Sequence, residues 1–129
     1  MKIMTFHLPD GDYAVELSSV VEVVRARGAA GATLAERAVP LLDLADRLGL
    51  ARGIGEDAPA VVLRGAQGEA GMRVERLGEV VEVGDWQIQR LPRYFGHPLM
   101  RGVAEVDDRL VVLLDADRLV AAGREGAGE

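Results

Sequence analysis

The stretch that decides the fold is DYAVELSSVVEVVR, Asp12 to Arg25. Tyr13, Val15 and Leu17 alternate with Ala14 and Glu16, the period of a half-buried strand. Ser18-Ser19 interrupts the run, and Val20 to Val24 resumes it. Ser19-Val20-Val21-Glu22 has the S-x-x-E spacing of a capping box, in which hydroxyl and carboxylate each satisfy a free backbone N–H. A long helix is disfavoured here, because β-branched side chains lose rotamer freedom in one. The expectation is a strand, one short helical turn, and a return to extended chain.

The same pattern occurs twice. An offset of 57 residues sets Gly11 on Gly68 and needs no gap for about twenty residues. Phe6 falls on Leu63, Val15 on Met72, Leu17 on Val74 and Val20 on Leu77, and Glu22-Val23-Val24 repeats as Glu79-Val80-Val81. A second shared phrase follows each copy at a different distance: Leu41-Leu42-Asp43 with Asp46-Arg47-Leu48, then Leu113-Leu114-Asp115 with Asp117-Arg118-Leu119. Two copies at so long a period do not make a solenoid. They make two related β-rich lobes, the first over about residues 1–50 and the second over about 59–120, in one domain spanning 1–129. The C-terminal segment is read as packing back on the first lobe.

Composition narrows the function. A chain of 129 residues is long enough to bury a core, and with few aromatics that core is built of Val, Leu and Ala. The net charge of −6 and the lack of a basic stripe argue against nucleic acid. Zero cysteines exclude a disulfide framework, a thiol nucleophile and a thiolate metal site. The N-terminus turns polar too early for a signal peptide, and no apolar run approaches a membrane span. A soluble, cytoplasmic protein is expected.

In chain order, Ile3–Leu8 and the strand from Tyr13 form a hairpin across Pro9-Asp10-Gly11-Asp12. Gly28–Thr33 is weakly patterned loop, and Leu34–Arg37 is left unassigned. Val39–Leu44 reads as a strand, after which Asp43 can cap a short helix, Leu44–Leu48, ending at Gly49. Arg52–Pro59 is a polar connector. Ala60–Arg64 and Ala70–Val74 pair across Gly65–Gly68; Arg76–Gly78 is read as a turn and Glu79–Val83 as a strand. Gly84–Pro98 is a long connection, held to the surface by Trp86, Ile88, Leu91, Tyr94 and Phe95. Leu99–Val106 and Arg109–Leu114 form a hairpin, Asp115 starts a closing helix, and Gly123–Glu129 is a frayed tail.

None of this assembles an active site. His7 and His97 lack partners at metal-ligand spacing, and Asp115-Ala116-Asp117 is explained as a helix cap with a first-turn acid. Gly65, Gly68 and Gly71 lie between two strands, whereas a phosphate cradle needs a strand and a helix N-terminus. Ser18 and Ser19 have neither a nucleophile elbow nor a placed base. No catalysis, cofactor or metal is expected. Glu22 has a local explanation in the capping box. Yet Val20, Val21, Val23 and Val24 cannot all face one core from a single strand. Either both faces are covered within the domain, or one is a groove for a partner.

Together, FHLPDGDYAVELSSVVEVVR, VPLLDLADRLGL, PAVVLRGAQGEAGMRVERLGEVVEV and LMRGVAEVDDRLVVLLDADRLV resemble the CheW family of bacterial chemosensory coupling proteins, over nearly the whole chain. The resemblance implies a mainly β fold of two small SH3-like barrels of five strands each about a pseudo-twofold, with short helices. It implies a non-catalytic adaptor that bridges chemoreceptor cytoplasmic tips to the regulatory domain of a CheA-type histidine kinase, or to other CheW-like proteins. Receptor helices would lie in the groove between the lobes, and strands of the first lobe would meet the kinase. The family's receptor-coupling positions match Val20 and Glu22, and Val24 is read with them.

One departure stands out. Only Ala26–Ala38 fills a gap that in the family holds about a dozen more residues and an N-L-R-G-like motif. A strand is too long to be replaced by so few Gly/Ala-rich residues at ~3.3 Å rise each. The first lobe is therefore expected to be truncated, as in the short FrzB-type accessory members of gliding bacteria, with kinase docking weakened or lost. The ordinary coupler and a β-barrel binding module of another pathway stay open beside that reading. An open barrel edge could also pair with a second copy to give a homodimer.

Overall fold

The computed structural model describes residues 1–25, 39–50, 54–55, 57–91 and 97–127. Ten strands run in chain order: β1 (Lys2–Leu8), β2 (Gly11–Glu16), β3 (Val20–Arg25), β4 (Leu41–Asp43), β5 (Pro59–Gly65), β6 (Gly68–Arg73), β7 (Arg76–Glu82), β8 (Ile88–Arg90), β9 (Met100–Val106) and β10 (Arg109–Leu114). Two α-helices, α1 (Leu44–Arg47) and α2 (Ala116–Ala127), and two 3-10 turns, Leu17–Ser19 and Asp85–Gln87, complete the described elements. The strands form two sheets: six strands in the order β7-β1-β2-β10-β9-β8, and four in the order β3-β5-β6-β4.

The internal repeat is reproduced residue by residue. Ile3 opposes Glu16 in the first hairpin and Ala60 opposes Arg73 in the second, each position 57 residues on. Leu113 runs parallel to Ala14 as Leu41 runs parallel to Gly71. Each hairpin, however, is flanked on both sides by strands of the other copy, β7 and β10 around β1–β2, and β3 and β4 around β5–β6. β7 pairs with β1, and β3 pairs with β5. Neither sheet is a contiguous stretch of chain, so the copies at 1–50 and 59–120 do not coincide with the sheets. The two copies exchange their hairpins.

Three apolar clusters follow from strand alternation. The largest lies between the sheets: Met4, Phe6, Tyr13 and Val15 from one meet Val61, Leu63, Ala70 and Met72 from the other, closed by Leu119 and Val120 of α2. The opposite face of the six-stranded sheet encloses Ile3, Ala14, Val83, Ala104, Val106, Val111 and Leu113. The opposite face of the four-stranded sheet holds Val39, Leu41, Ala60 and Val62, with Val21 and Val24 against them. Phe6, Leu63 and Met72 are fully buried in the central cluster, each worth about 1.5–3 kcal/mol of apolar transfer.

The two lobes are unequal. Fifteen residues, 26–40, separate β3 from β4, whereas twenty-six, 83–108, separate the equivalent β7 from β10. The longer span carries β8 and β9, which have no counterparts among the described residues of the four-stranded sheet. The sheets thus hold six and four described strands, against the five and five that the resemblance implies. Gly28–Thr33, Leu34–Arg37, Tyr94, Phe95 and part of the 52–59 connector lie outside the described residues.

Four local expectations are corrected. The Leu17–Ser19 turn has no side-chain cap, and Glu22 lies inside β3, so the Ser19–Glu22 capping box does not form. Strand pairing with β5 outcompetes the helix start. Arg76–Gly78 is not a turn but the first part of β7, because Arg76 and Leu77 pair with His7 and Phe6. The connection from Gly84 is not continuous coil: it contains a 3-10 turn and β8, and Trp86 is exposed instead of packed. Finally, α2 does not fray at Gly123. A Cβ there would sit 3.0 Å from Ala70 Cβ, so the glycine lets the helix lie close on β6 and continue. Asp43 and Asp115 cap their helices as expected, accepting from Asp46 N at 3.2 Å and Arg118 N at 3.1 Å.

Candidate functional site: the groove between two exchanged edge strands

Strand exchange leaves β3 at the edge of one sheet and β7 at the edge of the other. Between them lies a groove of about 450 Å³, lined by Val23, Val24 and Arg25, by Asp57, Ala58 and Pro59, and by Glu75, Arg76 and Leu77. Its centre is apolar and its borders carry both signs of charge. Val23 is 41% exposed, Leu77 38% and Val80, farther along β7, 53%. Val23 and Val80 are equivalent positions of the repeat and both are exposed; of the equivalent pair Val20 and Leu77, Leu77 is exposed and Val20 half-buried. Large apolar side chains exposed together mark interaction surfaces.

Both edge strands carry the same bulge. Val20 opposes Leu63 but Glu22 opposes Val62, which leaves one extra residue on β3. On β7, Leu77 opposes Phe6 and Val80 opposes Met4, again with one extra residue. A bulge reverses which face the following side chains take. Val20 therefore shares the face of Leu63 and packs on the central cluster. Glu22 and Val24 share the face of Val62 and Ala60, where Val24 packs on the third cluster. The three residues singled out from the sequence thus lie on one strand but not on one face; Val24 borders the groove, while Val20 packs on the central cluster. Val23, Leu77 and Val80 were not singled out. The 57-residue repeat held the signal, since it sets Val23 on Val80 and Val20 on Leu77.

The second bulge is fixed by a buried hydroxyl. Thr5 Oγ1 accepts from Glu79 N at 2.8 Å and donates to Glu79 O at 3.0 Å, and Thr5 is 1% exposed. The Glu79 side chain then meets Arg109 at 3.3 Å, and Arg109 also donates to Asp12 at 3.2 Å. Asp12 in turn contacts His7 Nδ1 across the β1–β2 pair. His97 Nδ1 accepts from Leu99 N at 3.1 Å. Both histidines are thus held by local structure. Tyr13 donates to Asp10 at 2.8 Å, and burial, followed by that bond and the carboxylate charge, raises its phenol well above the usual tyrosine value.

Among the described residues no group of three or more His, Asp or Glu side chains could hold a metal ion. Asp115 and Asp117 are occupied locally, the first as the α2 cap and the second accepting from Ala66 N at 2.8 Å. Among the described residues no helix is long and apolar enough to cross a membrane.

Two sheets packed back to back, with exchanged edge strands framing an apolar groove, define a β-barrel interaction module. Residues 2–124 match the CheW-like domain, and the chain belongs to that family. Its fold is similar to the crystal structure of the scaffolding protein TtCheW from Thermoanaerobacter tengcongensis, with a TM-score of 0.75, 22% sequence identity and 88% of each chain covered. No curated protein sequence matches significantly.

Proposed function

We propose that this protein is a non-catalytic CheW-like adaptor of a bacterial chemosensory array, acting in the cytoplasm, whose groove between β3 and β7 takes the helical cytoplasmic tip of a chemoreceptor. The observation that carries this reading is the symmetric exposure of Val23 and Val80 on the two edge strands. An amphipathic helix laid in such a groove covers these side chains with its own apolar stripe. Arg25, Arg76, Asp57 and Glu75 at the borders supply registry with charges on the helix. Glu22, at the exposed edge of β3, belongs to the same contact, with Val24 packed below it.

Kinase docking is weakened or lost, because the 26–40 connection is eleven residues shorter than its counterpart at 83–108. In this reading the protein is an accessory adaptor of the FrzB type, which biases receptor clustering without fully coupling the kinase. A specific observation favours the ordinary coupler as second reading. The four-stranded sheet keeps the register of its larger counterpart residue by residue, so the framework of the first barrel persists.

Binding to a purified CheA-type regulatory domain and to a receptor tip, with a full-length CheW from the same organism as control, separates the two. Receptor binding without kinase binding supports the accessory adaptor. Kinase binding as tight as the control establishes the coupler. Absence of receptor binding refutes both.

A further inference from the structure

The face of the six-stranded sheet that holds the central cluster runs on over β8–β10 into a second apolar surface, distinct from the groove. Trp86 is 86% exposed and Leu110 is 70% exposed, more than any other large apolar side chain described. Both border one shallow concavity of about 130 Å³, floored by Val103 of β9. Leu110 opposes Glu105 and Val112 opposes Val103, so Leu110, Val103 and Val112 share this face while Val111 and Leu113 turn to the buried one.

Trp86 is held in place and does not dangle. Gln87 accepts from Gly84 N at 2.8 Å and donates to Glu105 O at 3.0 Å, which ties the 3-10 turn to β9. Gly84 leaves room for the indole: a Cβ there would stand 2.7 Å from Trp86 Nε1. A tryptophan presented on a pinned turn loses little side-chain entropy on binding, and tryptophan is the residue most enriched among interface hot spots.

The rim decides the occupant. Asp85, Glu105, Asp107 and Asp108 are all exposed around the patch. Arg109 is engaged by Asp12 and Glu79 and Arg101 by Glu16 at 3.5 Å, while Arg90 of β8 shares the opposite face with Ile88. A second copy would set carboxylates against carboxylates on a chain already at −6. We propose that the Trp86–Leu110 face docks a protein surface that is aliphatic at its centre and rimmed by Lys or Arg. This surface lies outside the receptor groove, and its use does not depend on the adaptor reading.

Trp86 is the only tryptophan, so its emission reports the face directly. The probe is a synthetic amphipathic helical peptide of leucine and lysine, titrated beside a leucine–glutamate peptide of the same pattern and a serine–lysine peptide without apolar residues. The expected result is a saturable blue shift with the leucine–lysine peptide alone. Leu110→Ser and Glu105→Lys each weaken it about fivefold or more, while Val23→Asp in the groove leaves it unchanged. Equal response to either control peptide overturns the proposal, as does affinity indifferent to both Leu110→Ser and Glu105→Lys. A dimer in sedimentation velocity that Leu110→Ser abolishes assigns the face to a second copy and overturns it too. Both substitutions are at exposed sites, and circular dichroism verifies that the variants remain folded.

Discussion

Gly78→Ala tests the bulge that shapes one wall of the groove. A Cβ at this position would overlap the Thr5 hydroxyl and stand 2.8 Å from the Thr5 carbonyl oxygen. The backbone of β1 cannot retreat, because Met4 and Phe6 on either side are anchored in the central cluster. β7 must therefore lift away, breaking the two hydrogen bonds between Thr5 and Glu79. Two bonds at about 1 kcal/mol each, with overpacking strain of about 1–3 kcal/mol partly relieved by the movement, give a loss of about 2–4 kcal/mol. For a chain of this size that lowers the melting temperature by about 8–16 °C. The assay is thermal or urea unfolding of Gly78→Ala, Thr5→Ala and the double variant. Because the clash requires the hydroxyl, Gly78→Ala should cost less in the Thr5→Ala background, leaving a coupling of about 1 kcal/mol or more. The residual cost reports the carbonyl contact, which Thr5→Ala does not relieve. A Gly78→Ala protein melting within about 2 °C of the parent refutes the reasoning, and a strictly additive cycle removes Thr5 from it.

Further outcomes follow from the same geometry. Val23→Asp and Val80→Asp, at exposed positions, should change stability by no more than about 0.5 kcal/mol while each lowers receptor-tip affinity about tenfold; calorimetric titration with a melting control checks both, and unchanged affinity in both variants counts against the groove. Asp115→Ala removes the cap of α2 and should cost about 1 kcal/mol, read from the urea midpoint at constant slope. Tyr13 has a raised phenol pKa, so its contribution to stability is complete below the unfolded tyrosine value of about 10 and is lost as pH rises above it. Alkaline unfolding should therefore begin later in Tyr13→Phe than in the parent, and coincident alkaline curves would contradict that assignment.

The sequence made the hairpins, the helix caps and the duplication legible because each rests on local chemistry. Alternation of Tyr13, Val15 and Leu17 needs only neighbours, and so do the caps at Asp43 and Asp115. The exchange of β3 and β7 was not legible, since pairing about 40 residues apart for β3 with β5, and about 75 for β1 with β7, leaves no mark on either strand alone. The bulge was the costlier omission. In an unbroken strand Val20, Glu22 and Val24 would share a face; with one inserted residue Val20 packs on the central cluster and Val24 on the opposite face, and Val23 is exposed. Ser19-x-x-Glu22 misled for a related reason: the spacing suits a helix start, but the valines around it gain more by pairing with β5.

The exchange also explains why the groove is tied to the fold. Each wall is an edge strand lent by one copy to the hairpin of the other, and each wall rests on a hairpin whose buried face fills the central cluster. The distance between the walls is therefore set by how closely the two sheets pack, through Phe6, Leu63, Met72 and Leu119, and not by any loop. β3 pairs with β5 in the same register as β7 with β1, although the 26–40 connection is eleven residues shorter than its counterpart at 83–108. On the proposed function, receptor binding draws on the seam where the two copies interlock, and the length of the 26–40 connection does not enter it.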